Sequence, residues 1–212
     1  GIPELRQAVA EKLCDENLLE VTADDVVITP GAKMAVFAAI QALMQEGDKC
    51  AFLGPSWVSY EPCVAFAGGS VVWGKVDKQF MPVDLAESIN SKTKLVSFAY
   101  ISNAIGTIHP ISKIIEVAKR NNALVHLDCA QAIQHKLIDV QQLNIDFLSF
   151  SSHKMYAPMG VGVFWGKEAH LNAMNPYQYG GEMIKDVYLD KVSYNEIPYK
   201  FEAGTPNVGD VI

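Results

Sequence analysis

The sequence is poor in arginine and has no basic cluster. Arg6 and Arg120 are its only arginines among 212 residues, and 17 Lys plus Arg against 24 Asp plus Glu give a formal net charge of −7. The longest run of basic residues is Lys119–Arg120. A chain without a basic face binds polyanions poorly, so nucleic acid and anionic membranes are disfavoured as partners.

Cysteines and long apolar runs are also scarce. The four cysteines, Cys14, Cys50, Cys63 and Cys129, have no CxxC spacing, which predicts reduced thiols rather than a zinc site or a disulfide framework. No uninterrupted apolar stretch approaches the roughly 18 residues that span a bilayer. The first residues, 1–6, lack the basic and apolar parts of a signal peptide, so we expect a cytoplasmic protein.

Short apolar, β-branched segments alternate with helical patterns along most of the chain. This alternation predicts an α/β fold in three layers, with a mostly parallel sheet, helices on both faces and a single domain over residues 1–212. From residue 167 to 196 the periodicity is lost, which predicts loops. Strands are predicted at 26–29, 50–53, 71–74, 95–99, 124–127, 147–150 and 161–165, and helices at 3–15, 32–44, 58–66, 83–89, 111–120 and briefly after Ala130.

Two charged residues follow predicted strands in a way that indicates pyridoxal 5'-phosphate as a cofactor. Asp128 ends one strand, and Lys154 follows another through the segment Ser-Phe-Ser-Ser-His. A lysine amine can hold the cofactor's aldehyde as a Schiff base, while a carboxylate pairs with the protonated pyridine nitrogen and keeps the ring an electron sink. Taken singly, the lysine could be a solvated surface residue and the aspartate a helix N-cap.

A phosphate group needs its own anchor, and residues 31–33 can supply one. Gly31, Ala32 and Lys33 follow a strand and open an apolar helix, where free backbone N–H groups and the positive end of the helix dipole favour an anion. The simpler interpretation is that Gly31 makes a tight turn.

The segments 124–132 (LVHLDCAQA) and 151–162 (SSHKMYAPMGVG) resemble fold-type I pyridoxal phosphate enzymes, and among them the cysteine desulfurase and selenocysteine lyase group. Segments 101–107, 179–184 and 201–207 occur in the order which that group shows. The resemblance runs from about Phe80 to the end of the sequence. It implies a large domain followed, after Ile212, by a C-terminal small domain that this sequence does not include.

The first third resembles a different group. Segments 1–6, 28–35 and 54–60 are similar to class I aminotransferases of the aspartate type, up to about Val76. The two groups share one large-domain fold. A change of resemblance near 77–84 indicates a natural mosaic, an engineered chimera or a divergent member, and we favour a mosaic or chimera.

These resemblances imply a role for each of several residues. Lys154 and Asp128 would be catalytic, and Gly31, Ala32 and Lys33 would grip the phosphate. Ser151 and His153 would add side-chain donors to the same phosphate.

Three further positions match residues near the cofactor ring. Trp57 would stack on the ring, unless it simply fills the core. Asn103 and Gln131 would lie near the phenolic oxygen or the substrate, although Asn103 could be a plain turn residue.

The resemblance also implies a homodimer. Thr205 would reach the phosphate in the partner subunit's site, whereas without the resemblance 204–206 is an ordinary turn.

The sequence also departs from the desulfurase pattern. Trp57 stands where those enzymes stack a histidine, and their nucleophilic cysteine and substrate-binding arginines would lie beyond Ile212. Three hypotheses therefore stay open. The first choice is a desulfurase-like lyase or transferase acting on a small amino acid. The alternatives are an aminotransferase-like enzyme and a cofactor-binding hybrid with little or no turnover.

Overall fold

The computed structural model describes residues 1–17, 20–54, 56–79 and 81–211, so Phe80 and Ile212 lie outside the described residues. One sheet of seven strands has the order β1-β7-β6-β5-β4-β2-β3. Strands β2 to β6 pair in parallel, and β7 is antiparallel to both β1 and β6. The strands are β1 (Val26–Thr29), β2 (Lys49–Leu53), β3 (Ser70–Gly74), β4 (Thr93–Ala99), β5 (Leu124–Asp128), β6 (Phe147–Ser151) and β7 (Gly162–Gly166).

Helices cover both faces of this sheet, as the sequence predicts. Alternate residues along a strand point to opposite faces. On β5, for example, Val125 and Leu127 belong to one apolar cluster with Leu13 of α1 and Ile114 of α5. A second cluster joins Phe52 of β2 to α2 and α3. The helices are α1 (Pro3–Asn17), α2 (Ala32–Leu43), α3 (Tyr60–Phe66), α4 (Leu85–Ser88), α5 (Ile111–Arg120), α6 (Val140–Leu143), α7 (Glu168–Ala173) and α8 (Val208–Val211).

Three local predictions are wrong. Turns replace the short helix predicted after Ala130. The N–H groups of Ala132 and Ile133 bond the Cys129 carbonyl and those of His135 and Lys136 bond the Ala132 carbonyl, which makes successive turns and not a continuous helical ladder. The helix predicted at 83–89 shrinks to α4, since Asp84 is left-handed (φ 50°) and Ile89 is extended. The stretch 167–196, predicted as loops, contains α7 and an antiparallel hairpin of β8 (Ile184–Val187) and β9 (Val192–Tyr194).

The sequence does not predict the β8–β9 hairpin, because the apolar residues of the hairpin do not face a core. Val187, Leu189 and Val192 are all exposed, so no alternation of buried and exposed positions marks the two strands. None of the helices in the described part of the chain is long and apolar enough to cross a membrane.

Candidate functional site

The carboxyl ends of β1, β4, β5 and β6 meet at one edge of the sheet and border a cavity of about 580 Å³. Side chains and turns at this edge of an open α/β sheet are the usual ligand-binding groups. Of the eleven site residues predicted from the sequence, ten line this cavity: Gly31, Ala32, Lys33, Trp57, Asn103, Asp128, Gln131, Ser151, His153 and Lys154.

Thr205, the remaining predicted residue, lies elsewhere. It lines a second cavity of about 450 Å³, together with residues of the Tyr199–Asn207 segment. Pro30 and Gly160 border both cavities. Thr205 is therefore next to the main cavity of its own chain without lining it.

Asp128, the last residue of β5, presents a fixed carboxylate to the cavity. The Tyr60 hydroxyl donates to its Oδ2 atom, and the Ala130 N–H donates to Oδ1 at 2.9 Å. Its backbone carbonyl accepts the N–H of Tyr100 at 2.9 Å. Hydrogen bonds on both carboxylate oxygens leave the side chain little freedom to rotate.

Lys154 ends the short 3-10 turn Ser152–Lys154 that follows β6. The side chain is half-buried, and its Nζ atom donates to Asn103 Oδ1 at 3.3 Å. Gln131 Nε2 donates to the same oxygen. The amine is thus bonded to one predicted residue of the cavity, Asn103, and Gln131 bonds the same Asn103 oxygen.

The turn before α2 forms another wall of the cavity. Gly31 has φ +86°, a conformation that favours glycine, and the Ala32 N–H donates to Ser151 Oγ at 2.6 Å. Because Ser151 accepts this bond, its own hydroxyl hydrogen remains available to a ligand. The nearest atom to a hypothetical Cβ on Gly31 is Ser151 Oγ at 3.8 Å, so there is open space beside the turn.

The aromatic wall comes from Trp57, which is 38% exposed. Its ring packs edge-on against Tyr60, with centroids 5.7 Å apart, and Lys33 Nζ lies 5.2 Å from its centroid. Trp57 and Lys33 thus line the same wall of the cavity, with the Lys33 amine over the Trp57 ring.

Two further residues of the site, Tyr60 and Ser56, are not predicted from the sequence. Tyr60 bonds Asp128, and Ser56 Oγ is buried in the cavity wall with no hydrogen-bond partner among the described residues. Both belong to the segment 54–60 that carries Trp57. The Tyr60 N–H bonds the Trp57 carbonyl at 3.2 Å, so one turn before α3 connects the two residues.

Beneath Asp128 lies a polar group that does not reach the cavity. His126 is buried, with Nδ1 2.8 Å from Ser97 Oγ and Nε2 2.9 Å from Ser149 Oγ. Burial lowers the pKa of His126 to about 4, against an opposing effect of the Asp128 carboxylate. The ring is therefore neutral at pH 7.

The sequence relatives point to one group of enzymes. A probable cysteine desulfurase of Halalkalibacterium halodurans is 46% identical over 129 residues, which are 61% of this chain and 32% of that protein. A cysteine desulfurase of Synechococcus elongatus is 48% identical over 124 residues, 58% of this chain and 20% of that protein. The chain spans about a third or less of the length of these two relatives.

Solved structures match over most of the chain and include a cysteine desulfurase and an aspartate aminotransferase. The cysteine desulfurase CsdA of Escherichia coli superposes with a TM-score of 0.86 at 30% identity, covering 98% of this chain and 54% of that one. A Thermus thermophilus aspartate aminotransferase superposes with a TM-score of 0.72 at 26% identity, covering 82% and 49%. The family model described as aminotransferase class-V matches residues 6–212, and the chain therefore belongs to the aminotransferase class-V family.

Proposed function

We propose that the chain is the cofactor-binding large domain of a pyridoxal 5'-phosphate enzyme of the cysteine desulfurase type, acting on a small amino acid. One observation carries this proposal: the Lys154 amine, the Asp128 carboxylate and the N-terminus of α2 line the same cavity. Family membership and the desulfurase relatives support it.

The residues present fit this cofactor. The buried Ser56 hydroxyl lacks a partner among the described residues, and the space beside Gly31 is open next to a helix N-terminus. A phosphate group would use both features. When bound, the cofactor supplies an electron sink that stabilises negative charge at the α-carbon of an amino acid.

Asp128 and Lys154 would bind the cofactor, and Lys154 would also transfer a proton. The Asp128 carboxylate would pair with the ring nitrogen. The Lys154 Nζ atom would hold the aldehyde carbon and, when released from it, accept the proton from the substrate's α-carbon.

The remaining site residues would bind and orient. Gly31, Ala32 and Lys33 would hold the phosphate at the N-terminus of α2, with Ser151 and His153 adding side-chain donors. The Gly31 N–H bonds the Thr29 carbonyl at 2.7 Å and the Ala32 N–H bonds Ser151 Oγ at 2.6 Å, so each of these two groups would exchange its present partner for the phosphate. Trp57 would cover one face of the ring, and Asn103 and Gln131 would orient the phenolic oxygen or the substrate.

Borohydride reduction followed by peptide mass mapping tests this assignment. Reduction should fix the cofactor to Lys154, and Lys154→Ala should give colourless protein, because the Lys154 amine lies in the cavity and bonds Asn103, and Asp128 lines the same cavity. Lys136→Ala, at an exposed lysine outside the cavity, is the control and should stay yellow. A label on Lys33 in place of Lys154 would refute the assignment.

An aminotransferase-like reaction is the second candidate. Trp57 and Lys33 line the cavity, and both belong to segments that resemble aspartate-type aminotransferases. Product analysis separates the candidates: sulfide and alanine from cysteine support desulfuration, whereas a keto acid and aminated cofactor from aspartate support transamination. A yellow protein that turns over neither substrate would support the cofactor-binding hybrid.

We also propose that the chain is a natural mosaic or an engineered chimera joined near 77–84. Residues 77–79 are exposed, the Asp77 N–H bonds the Met81 carbonyl and the Val83 N–H bonds the Lys75 carbonyl. Exposed segments between regular elements tolerate joins. The family match across 6–212 fits either origin because the two groups share a fold. Phylogenetic trees built separately from 1–76 and 84–211 should disagree, and concordant trees would contradict the mosaic.

The assembly we propose is a cytoplasmic homodimer of single-domain units covering residues 1–212. Thr205 would reach the partner's phosphate. It is exposed and does not line the main cavity of its own chain, which fits this role. Light scattering should give twice the chain mass, unfolding should show one cooperative transition, and cell fractionation should recover the protein with the cytoplasm. Thr205→Ala should weaken cofactor binding, whereas a monomer with full affinity would contradict the role of Thr205.

A further inference from the structure

The strongest unassigned feature next to the cavity is Tyr60, at the first position of α3. Its side chain is among the largest that are fully buried, and its ring is held on two sides. Phe52 stacks on it with centroids 5.0 Å apart and an interplanar angle of 10°, while Trp57 packs edge-on. The hydroxyl is thus carried on a ring with a fixed position.

The Tyr60 hydroxyl donates a hydrogen bond to the Oδ2 atom of Asp128. Burial first, and then the neighbouring Asp128 charge, raise the pKa of Tyr60 well above its ordinary value of 10.0. The phenol therefore keeps its proton and always acts as the donor. The Ala130 N–H occupies Oδ1 at 2.9 Å, so the two donors together fix the plane of the carboxylate.

We propose that Tyr60 is a positioning residue, which holds the Asp128 carboxylate in the orientation that pairs with the cofactor's ring nitrogen. The inference rests on the proposed function, since it requires pyridoxal phosphate as the ligand. Tyr60 would act through Asp128, which it contacts, and would not touch the reacting atoms. A purely structural tyrosine would affect every ligand of the cavity equally, whereas a positioning tyrosine affects only ligands that carry a ring nitrogen.

The test compares two ligands of the same shape. Dissociation constants are measured for pyridoxal phosphate and for its analogue with carbon in place of the ring nitrogen, using wild type and Tyr60→Phe. The variant keeps the ring that stacks on Phe52 and loses only the hydroxyl. We expect pyridoxal phosphate to bind about tenfold more weakly and the carbon analogue to be unchanged, because a hydrogen bond to a charged group is worth about a factor of ten.

Tyr177→Phe is the matched control, because Tyr177 is a half-buried tyrosine in the second cavity. It should bind both ligands like wild type. Equal weakening of both ligands in Tyr60→Phe, or no change in either, overturns the inference and leaves the proposed function standing. Wild type that binds neither ligand overturns both.

A second measurement is independent of how the variant folds. In a crystal structure of the wild-type chain with pyridoxal phosphate bound, the Tyr60 hydroxyl should stay within hydrogen-bond distance of Asp128. A hydroxyl turned away from that carboxylate overturns the inference, whatever the variant shows.

Discussion

Gly162 lies directly against Gly31, so close that a Cβ atom at position 162 would stand 2.2 Å from the Gly31 carbonyl carbon. Gly162 is the first residue of β7 and pairs with Thr29 of β1. The missing side chain allows the turn before α2 to approach the sheet and to form its wall of the cavity. A sequence position outside the predicted site therefore sets the position of the N–H groups at 31–33.

Gly162→Ala should push this turn away and lower the free energy of unfolding by about 1–3 kcal/mol, the usual cost of overpacking. Affinity for pyridoxal phosphate should fall as well, because the turn carries the proposed phosphate donors. Urea denaturation and cofactor titration measure the two effects. Gly181→Ala is the control, since a Cβ there meets nothing within 4 Å, and a Gly162→Ala protein with unchanged cofactor affinity would contradict the argument.

Asp146 is a buried carboxylate at the centre of an ion cluster. It accepts hydrogen bonds from Lys119, from Lys167 Nζ at 3.0 Å and from the Val125 N–H at 2.8 Å. Burial by itself would raise the pKa of Asp146, but the bonds from Lys119, Val125 and Lys167 outweigh it and hold the pKa below the ordinary 3.8. The charged form is therefore favoured in the folded state.

Asp146→Asn should lower the free energy of unfolding at pH 7 by about 2–3 kcal/mol. This is less than the loss for a fully buried pair, because both lysines can reach water. A carboxylate with a lowered pKa stabilises the fold above its unfolded pKa, and this stabilisation is lost as the pH falls through the folded pKa. The difference between wild type and variant should thus be constant from pH 7 to 5 and shrink below about pH 4.

Denaturation of both proteins across this pH range measures the difference. Glu87→Gln, which removes the exposed pair with Lys75, is the control and should leave the unfolding midpoint nearly unchanged at any pH. A difference that persists unchanged at pH 3 would show that the Asp146 charge is not the origin of the stabilisation.

His126 should produce a pH dependence in a different range. Burial lowers the pKa of His126 from 6.5 to about 4. Between these two pH values the imidazole is protonated in the unfolded chain and neutral in the folded chain. Stability is therefore complete above pH 6.5 and decreases as the pH falls toward 4, by about 3 kcal/mol in total. His126→Asn lacks this titration, so the advantage of wild type over the variant should decline between pH 6.5 and 4. A constant advantage over that interval would rule out a lowered pKa.

The sequence predicts the sheet well, because apolar β-branched strands and their terminal Asp128 and Ser151 are local signals. It also predicts ten residues of the cavity wall, of which Asp128 and Ser151 end strands and most of the others come from the resemblance. Tyr60 and Gly162 could not be found in this way. The role of each depends on a contact between segments far apart in the chain, Tyr60 with Asp128 and Gly162 with Gly31, which no local pattern records.

The four cysteines differ enough in their surroundings to predict their reactivity. Cys50, Cys63 and Cys129 are buried, and burial raises the pKa of each thiol, whereas Cys14 is only partly buried. The thiolate is the reactive species, so a disulfide reagent should modify Cys14 quickly in the native protein and the other three slowly. Cys14→Ser should abolish the fast phase, and denatured wild type should react at all four cysteines.

Modification of the thiols also tests whether one of these cysteines can accept sulfur from the substrate. A nucleophilic cysteine must be ionised and accessible, and Cys50, Cys63 and Cys129 are neither near neutral pH. Persulfide formation by one of these thiols is therefore not expected, and replacing each with serine should leave cofactor loading and any release of sulfide from cysteine unchanged. Fast modification of Cys63 or Cys129 in the native protein, followed by loss of sulfide release, would contradict this and assign the nucleophile to this domain.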